Sequence, residues 1–494
     1  GGAAAAPREL SAEDIEAMLH ELLEAYTAGA FQKELSALRE TCSRSGTNPL
    51  LVMGPVVLKV QAPILQRYGQ PPSAVGVDLM KHSVERRVAE GHKRIEALAN
   101  EARLALGLAA MPNRTATAEQ VLAAKVDETN ARLGLAAGGG GGAEAVEGEL
   151  RRQCQLRMAA DAASGALPAA SAAHLTALLD SGEAPVPSIL ALAKMAKLGI
   201  SVSGLRGDDV PPSVAVLESP SPAAFFEAHV LPNRPAVLRN TLDSVDFPPL
   251  RDFPDADFLR QRCGQRRVLV KSLSHLDQEG RPVFVSDPEL KLPLSAFLDK
   301  LEAHESMGSK QPFYLGKVPL RKELPELAED IERALACPQR LYGSCFGDLV
   351  PTGVFTYFGC GRNTTPVHWD AHENLLLCVC GTKRLLLYPP SDARFVYPCN
   401  DFSRSAILPF ARFEDYSPEL RGKFALVRDA RPLEVHLSAG DLLYLPSSWW
   451  HCVEGSDERN MILNWWFALH PDKRALAFAG DGNRHGALGA AAAA

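Results

Sequence analysis

At 494 residues the chain is too long for one ordinary core, and length alone predicts roughly two to four domains. An apolar content of 46% is that of a globular protein, and a formal net charge of −7 is small for this size, which argues against a general nucleic-acid or anionic-membrane binder. The ten cysteines run from Cys42 to Cys452 without a C-x-x-C pair, so neither a zinc module nor a disulfide framework is indicated.

The opening "GGAAAAPREL" has neither the basic region nor the apolar core of a secretory signal, and no run approaches the roughly 18 apolar residues that span a bilayer. The expectation is a soluble intracellular chain, cytoplasmic or nuclear, with no membrane partner. The first third reads helical. "SAEDIEAMLHELLEAY" offers Ser11 as an N-cap with Asp14 three positions later, then sets Ile15, Met18, Leu19, Leu22 and Leu23 on one helical stripe. "SVERRVAEGHKRIEALANEARLAL" repeats the pattern from Ser83. Between them "NPLLVMGPVVLKVQAPILQRYG" is apolar but interrupted by Pro55 and Pro63, which predicts a turn between helical pieces.

The five glycines from Gly138 to Gly142 mark a flexible linker, and an Ala-rich helical stretch follows to about Leu198. "DDVPPSVAVLESPSP" then supplies a Pro/Ser hinge, after which short β-branched or aromatic runs replace helical periodicity. They include "PAVLRN", "RRVLVKSL", "PFYLGKV", "VFTYFGC", "NLLLCVCG", "RLLLYPP", "LEVHLS" and "DLLYLPS". So many short strands in one segment predict a β-sandwich or barrel with helices packed outside.

Polar residues interrupt one of these apolar runs. In "PVHWDAHENLLL", His368 and Asp370 alternate with Val367, Trp369 and Ala371, so an extended backbone projects both to one side. Taken alone, such a pair is more often a solvated edge than a site. A second segment, "LSAGDLLYLPSSWWHCVEG", carries His451 after an apolar strand. A strand returning antiparallel would set His451 opposite the pair, and two imidazoles with one carboxylate are the donor set of non-haem Fe(II) oxygenases, which leave coordination positions open. Zinc favours a closed tetrahedron or activated water.

From about Pro222 to Pro471, roughly half of the chain, the sequence resembles the Jumonji C (cupin-like) 2-oxoglutarate oxygenases, and most of all their hydroxylase branch, which includes the asparaginyl hydroxylase of hypoxia-inducible factor. The resemblance rests on "FFEAHVLPNRPAVLRN", "TPVHWDAHENLLLCVCGTKRLLLYPP" and "LSAGDLLYLPSSWWHCVEGSDERNMILNWWF", in that order and spacing. It implies an α+β chain in which a helical N-terminal region precedes a double-stranded β-helix (jelly roll) with flanking helices. The implied layout is a helical domain of unknown role over 1–137, then linker, Ala-rich helices and hinge over 138–218. The JmjC oxygenase domain follows over 219–473 and a low-complexity tail over 474–494.

The resemblance also implies site roles. His368, Asp370 and His451 match the iron ligands, and Lys383 matches the lysine that pairs with the distal carboxylate of 2-oxoglutarate. Thr365 and Tyr314 match hydroxyls on that carboxylate, and Asn374 and Asn464 match asparagines bordering cosubstrate and metal. The implied cofactors are Fe(II), 2-oxoglutarate and O₂. His372 is read as lining the site and His436 as a satisfied strand histidine. The leading expectation is a peptidyl hydroxylase acting on a protein or peptide. A histone demethylase or tRNA-modifying hydroxylase on the same site, with an RNA substrate in the latter case, and a non-catalytic binding module stand as alternatives. Homodimerisation through the helical region is left open.

Overall fold

The computed structural model describes residues 8–45, 49–89, 91–106, 117–135, 142–202, 212–271, 275–284, 289–307 and 314–479. Gly138 to Gly141, residues 208–211 of the expected Pro/Ser hinge and the chain beyond 479 lie outside these residues, and the rest of that hinge contains the strand Ala215–Glu218. Two compact units divide at Arg114 and Thr115. The sequence-based boundary at 137 differs because the helix Ala118–Arg132 packs within the second unit, where Ala118 and Leu122 share a core with Trp369, Tyr388 and Trp450.

In the first unit the helices Ala12–Thr27, Gly29–Ser45, Pro49–Arg67, Ala74–Ala89 and Lys93–Ala105 enclose one apolar core. Ser11 and Asp14 form the expected capping box. The other two expectations for this unit need correction. Pro55 and Pro63 do not mark a turn; both lie inside Pro49–Arg67. Met53, Val57, Ile64 and Leu65 of that helix are buried, and the Gln61 amide donates to the Tyr26 hydroxyl at 2.6 Å. Four such side chains at about 2 kcal/mol each outweigh two prolines at about 3 kcal/mol each. The segment from Ser83, read as one helix, belongs to two, separated at Gly91, whose φ of 91° ends the first turn sequence in a left-handed conformation that suits glycine.

The second unit has the helices Ala118–Arg132, Gly142–Ala163, Ala169–Ser181 and Val186–Leu198 ahead of two facing sheets. One sheet orders its strands Ala215–Glu218, Ala236–Arg239, Leu442–Leu445, Glu373–Cys380, Asn460–Phe467, Leu349–Gly359, Tyr314–Pro319, Arg267–Lys271 and Glu289–Pro293. The other runs Pro398–Cys399, Arg404–Ser405, Thr364–His368, Trp450–Gly455, Thr382–Tyr388 and Leu433–Ser438. Leu376, Leu385, Leu387, Val435, Leu443, Leu445 and Ile462 fill the space between them. Antiparallel neighbours that are distant in sequence, such as Leu442–Leu445 beside Glu373–Cys380, make this the jelly roll that the family resemblance implied, one form of the sandwich or barrel that the strand pattern predicted.

Helices cover the outer faces. Phe253, Leu259, Phe297 and Leu327 pack on one sheet, while Leu175, Ile189, Leu192 and Met195 pack near the other. The C-terminal helix Pro471–Ala479 extends past the expected start of the tail at 474. Its Lys473 is 4% exposed and pairs with fully buried Glu373. No helix among the described residues is long and apolar enough to cross a membrane.

Candidate active site

The Thr364–His368 and Trp450–Gly455 strands pair antiparallel, with His451 directly opposite His368. The Nδ1 of His368 lies 2.9 Å from the Pro366 carbonyl and that of His451 lies 3.0 Å from the Trp449 carbonyl. A carbonyl only accepts, so each Nδ1 carries the proton and each Nε2 keeps a free lone pair. Burial is the first cause that pushes His368 down to about 3, with the neighbouring His451 second, and burial also lowers His451. Both rings are therefore neutral near pH 7, the form in which imidazole binds a metal.

Asp370 completes the group, its Oδ2 being 3.8 Å from the Nε2 of His451. The three donor atoms lie within 4.8 Å of one another, and this is the cluster of three or more such residues that could hold a metal among those described. One step of the sequence argument is corrected. The strand ends at His368, so strand alternation does not place Asp370. Hydrogen bonds to its backbone neighbourhood do: Ser448 N donates to the Asp370 carbonyl at 2.9 Å and Trp369 N to the Ser403 carbonyl at 3.0 Å. Ser448 itself has a φ of 68° in the turn that precedes His451. That turn is fastened by the segment "FFEAHVLPNRPAVLRN", since the Trp449 indole donates to the Asn233 carbonyl at 2.8 Å.

Lys383 is 2% exposed, whereas Arg384 beside it points outward and meets Glu434 at 2.7 Å. The Lys383 ammonium donates to the Asn460 side-chain oxygen, and no carboxylate among the described residues pairs with it. Desolvation pulls it down to about 8. It sits 5.9 Å from the ring centre of buried Tyr314, whose hydroxyl shares a hydrogen bond with Thr365. Desolvation raises the Tyr314 phenol, which thus stays protonated. An unpaired buried ammonium beside two hydroxyls matches the charge and hydrogen-bonding needs of a dicarboxylate.

Asn374 and Asn464 are buried and joined, the Asn464 amide donating to the Asn374 side-chain oxygen at 3.1 Å. Asn374 also donates to the His372 carbonyl at 2.8 Å, so it holds the backbone two residues past Asp370. The His372 ring stacks on Trp466, 5.0 Å between centres, and is not part of the metal-binding group. His436 is exposed with its Nε2 2.9 Å from Glu434, away from the centre. The sequence reading missed three residues. Tyr357 hydrogen-bonds Asn464 and feels the Asp370 charge, Arg404 stands opposite His368, and Lys317 lies over Trp466. Tyr357 and Phe355 share a strand face, which period-two alternation in "VFTYFGC" could have singled out.

A jelly roll in which one sheet carries His368 and His451 on paired strands, with Asp370 just beyond the first of them and a buried lysine on the next strand, defines the cupin-like class of protein. The cupin-like domain family model matches residues 222–473, and the chain belongs to that family, the JmjC Fe(II)/2-oxoglutarate oxygenases. The chain is 28% identical over 289 residues to the human bifunctional peptidase and (3S)-lysyl hydroxylase JMJD7, a match covering 54% of this chain and 88% of that protein. It is 27% identical over 246 residues to Arabidopsis thaliana lysine-specific demethylase JMJ30, covering 49% of this chain and 52% of that one. For Xenopus tropicalis lysine-specific demethylase 8 the identity is 25% over 263 residues, covering 52% and 54%. The chain thus spans about half the length of the two demethylases it matches.

Proposed function

We propose that the chain is an Fe(II)- and 2-oxoglutarate-dependent hydroxylase of a protein or peptide. The observation that carries this reading is the conjunction of His368, Asp370 and His451 with a buried, acid-free Lys383 in one fold. His368, Asp370 and His451 would hold iron. Lys383, Thr365 and Tyr314 would hold the distal carboxylate of 2-oxoglutarate, with Asn374 and Asn464 bordering it. When bound, these two supply an O₂-dependent oxidation in which 2-oxoglutarate is decarboxylated to succinate and a substrate C–H bond is hydroxylated.

The chain's own residues bind, orient and exclude water. The Pro366 and Trp449 carbonyls fix the rotation and tautomer of the two imidazoles. Trp449, Trp450 and Trp465 are fully buried around the ligating strands and keep their backbone rigid. The Lys383 ammonium selects a cosubstrate with a second carboxylate at the correct length. A demethylase on the same site is the second reading, supported by the names of two relatives. The intact ligand group and Lys383 weigh against a purely structural module.

The test uses the full chain with Fe(II) and 2-oxoglutarate, and succinate formation is expected. Its absence in metal-loaded protein would overturn the reading. Mass spectrometry of a peptide panel then separates the gain of one oxygen, about 16 Da, from the loss of one CH₂, about 14 Da. Lys383→Ala is expected to raise the 2-oxoglutarate concentration needed for turnover by about 100-fold, the scale of a buried charge-assisted pair. Unchanged dependence removes Lys383 from that role.

Affinity for 2-oxoglutarate is also expected to depend on pH. Only the ammonium form of Lys383 pairs with the carboxylate, and burial brings that lysine to about 8 in the free protein. Affinity should be flat below that pH and fall by about tenfold per unit above it, because binding then requires proton uptake. Calorimetric titration between neutral and alkaline pH reads this directly, and constant affinity across the range refutes it.

A further inference from the structure

The Tyr314–Pro319 strand carries a bulge beside the site. Its pairing with Leu349–Gly359 slips between Leu315 and Val318. The strand is closely packed there, since a Cβ at Gly316 would come within 2.9 Å of the Lys271 side chain and 3.0 Å of the Tyr314 ring. Lys317 follows at a φ of 58°, in the left-handed region, which costs a lysine about 1 kcal/mol or more. Bulges re-aim a side chain, and this one sets the Lys317 ammonium 4.3 Å from the centre of the Trp466 ring. Trp466 in turn stacks on His372 and packs on Phe355, with centres 5.0 and 4.8 Å away.

The charges around this shelf are unbalanced. Lys317 and Arg404 are both exposed, and no carboxylate among the described residues pairs with either. Partial desolvation lowers Lys317 first; Asp370 is the acid that acts in its favour, and Arg404 and Lys271 act against it. In the oxygenase reading the Asp370 charge is committed to the metal. A strained backbone that brings Lys317 toward Arg404 raises the energy of the unliganded protein, and an anion at the shelf offsets that energy.

We propose that Lys317, Trp466 and His372 form the substrate subsite, which takes a peptide bearing an aspartate or glutamate side chain beside the modified residue. This rests on the oxygenase reading of the neighbouring centre. The Lys317 ammonium pairs with the carboxylate, and the half-buried His372 ring, backed by buried Trp466, carries the apolar part of that side chain. Cationic side chains, such as methyl-lysine, meet like charge from Lys317 and Arg404. A single ammonium over one aromatic ring suits one carboxylate, while a phosphate backbone requires a track of cations, and the chain's net charge is −7.

The test loads the full chain with Mn(II) and 2-oxoglutarate without oxygen and measures binding of fluorescein-labelled peptide pools. Three pools of degenerate sequence differ only in fixed flanking residues, which are Glu, Gln or Lys; a short uridine oligonucleotide is the fourth probe. The Glu pool is expected to bind about tenfold more tightly than the Gln pool and the Lys pool least tightly. Lys317→Glu is expected to invert the Glu and Lys order. Lys317→Gln should erase the Glu and Gln difference with the melting temperature unchanged, which separates the subsite from a folding defect. Equal binding of the Glu and Gln pools, a Glu preference that survives Lys317→Glu, or tighter binding of the oligonucleotide than of the Glu pool each overturns the proposal. Peptide-free succinate formation with Fe(II) is scored separately, so failure of the oxygenase reading is distinguishable from failure of the charge preference.

Discussion

Alanine at His368 or Asp370 is expected to abolish succinate formation and to weaken metal binding by at least about 100-fold, beyond what removal of an outer hydrogen-bond partner does. The three donor atoms come from two strands and a connecting loop, and each is held by bonds that do not involve the others. His368 is oriented by Pro366, His451 by Trp449, and Asp370 by the Ser448 backbone. Deleting one donor therefore leaves the other two in place, and the loss reads as coordination chemistry and not as unfolding. Mn(II) binding followed by paramagnetic resonance, alongside the melting temperature, is the decisive pair of measurements. Metal affinity unaltered by both substitutions would remove these residues from the metal site.

Lys473→Met is expected to destabilise the second unit by about 3–5 kcal/mol, the scale of breaking a buried ion pair from one side. Glu373 is 0% exposed and Lys473 4%, so the carboxylate left behind cannot reach water. Its Oε2 accepts from the Tyr444 hydroxyl at 2.9 Å and from Ser447 N at 3.0 Å, while Lys473 Nζ also donates to Tyr444 at 3.2 Å. Glu373 precedes Asn374 and the Ser447 turn precedes His451, so this network joins both segments that carry the metal ligands. The variant should lose metal affinity together with stability. Replacing both partners, as Glu373→Leu with Lys473→Met, should recover part of the stability, because no unpaired charge then remains. Urea unfolding of Lys473→Met, of Glu373→Leu and of the double variant checks the cycle, and a loss below about 1 kcal/mol in Lys473→Met would refute the assigned role.

Much of the site was legible because its chemistry is written in residue identity and short spacing. His368 and Asp370 are two positions apart, and Thr365 and Lys383 flank them within one continuous segment. The strand runs were equally plain, since Leu385 to Leu387 and Leu442 to Leu445 are apolar on both faces, as strands buried between layers must be. Other features escaped for physical reasons. Pro55 and Pro63 carry a local signal against helix that a five-helix core outweighs. Lys473 looks like a surface lysine near a chain end until its partner, 100 residues earlier, is brought to it. Lys317 escaped because a bulge redirects it, and a bulge inverts the alternation on which strand reading depends.

The sequence by itself determined the class of chain: a helical first part, a jelly roll after it, and an oxygenase donor set with a lysine suited to a dicarboxylate. The helical part, the strand runs and the donor set depend on composition, on periods of two and 3.6 residues, and on the identity of ionisable groups, all of which are local properties, while the jelly roll and the role of Lys383 are what the family resemblance implies. Only the tertiary structure decided that His451 stands opposite His368, that Asp370 is held by a loop contact, that Lys383 is buried without an acid, and that Lys317 faces Trp466. Register across strands 83 residues apart, the interval between His368 and His451, comes from summed packing over the whole sandwich. No short window of residues contains that sum.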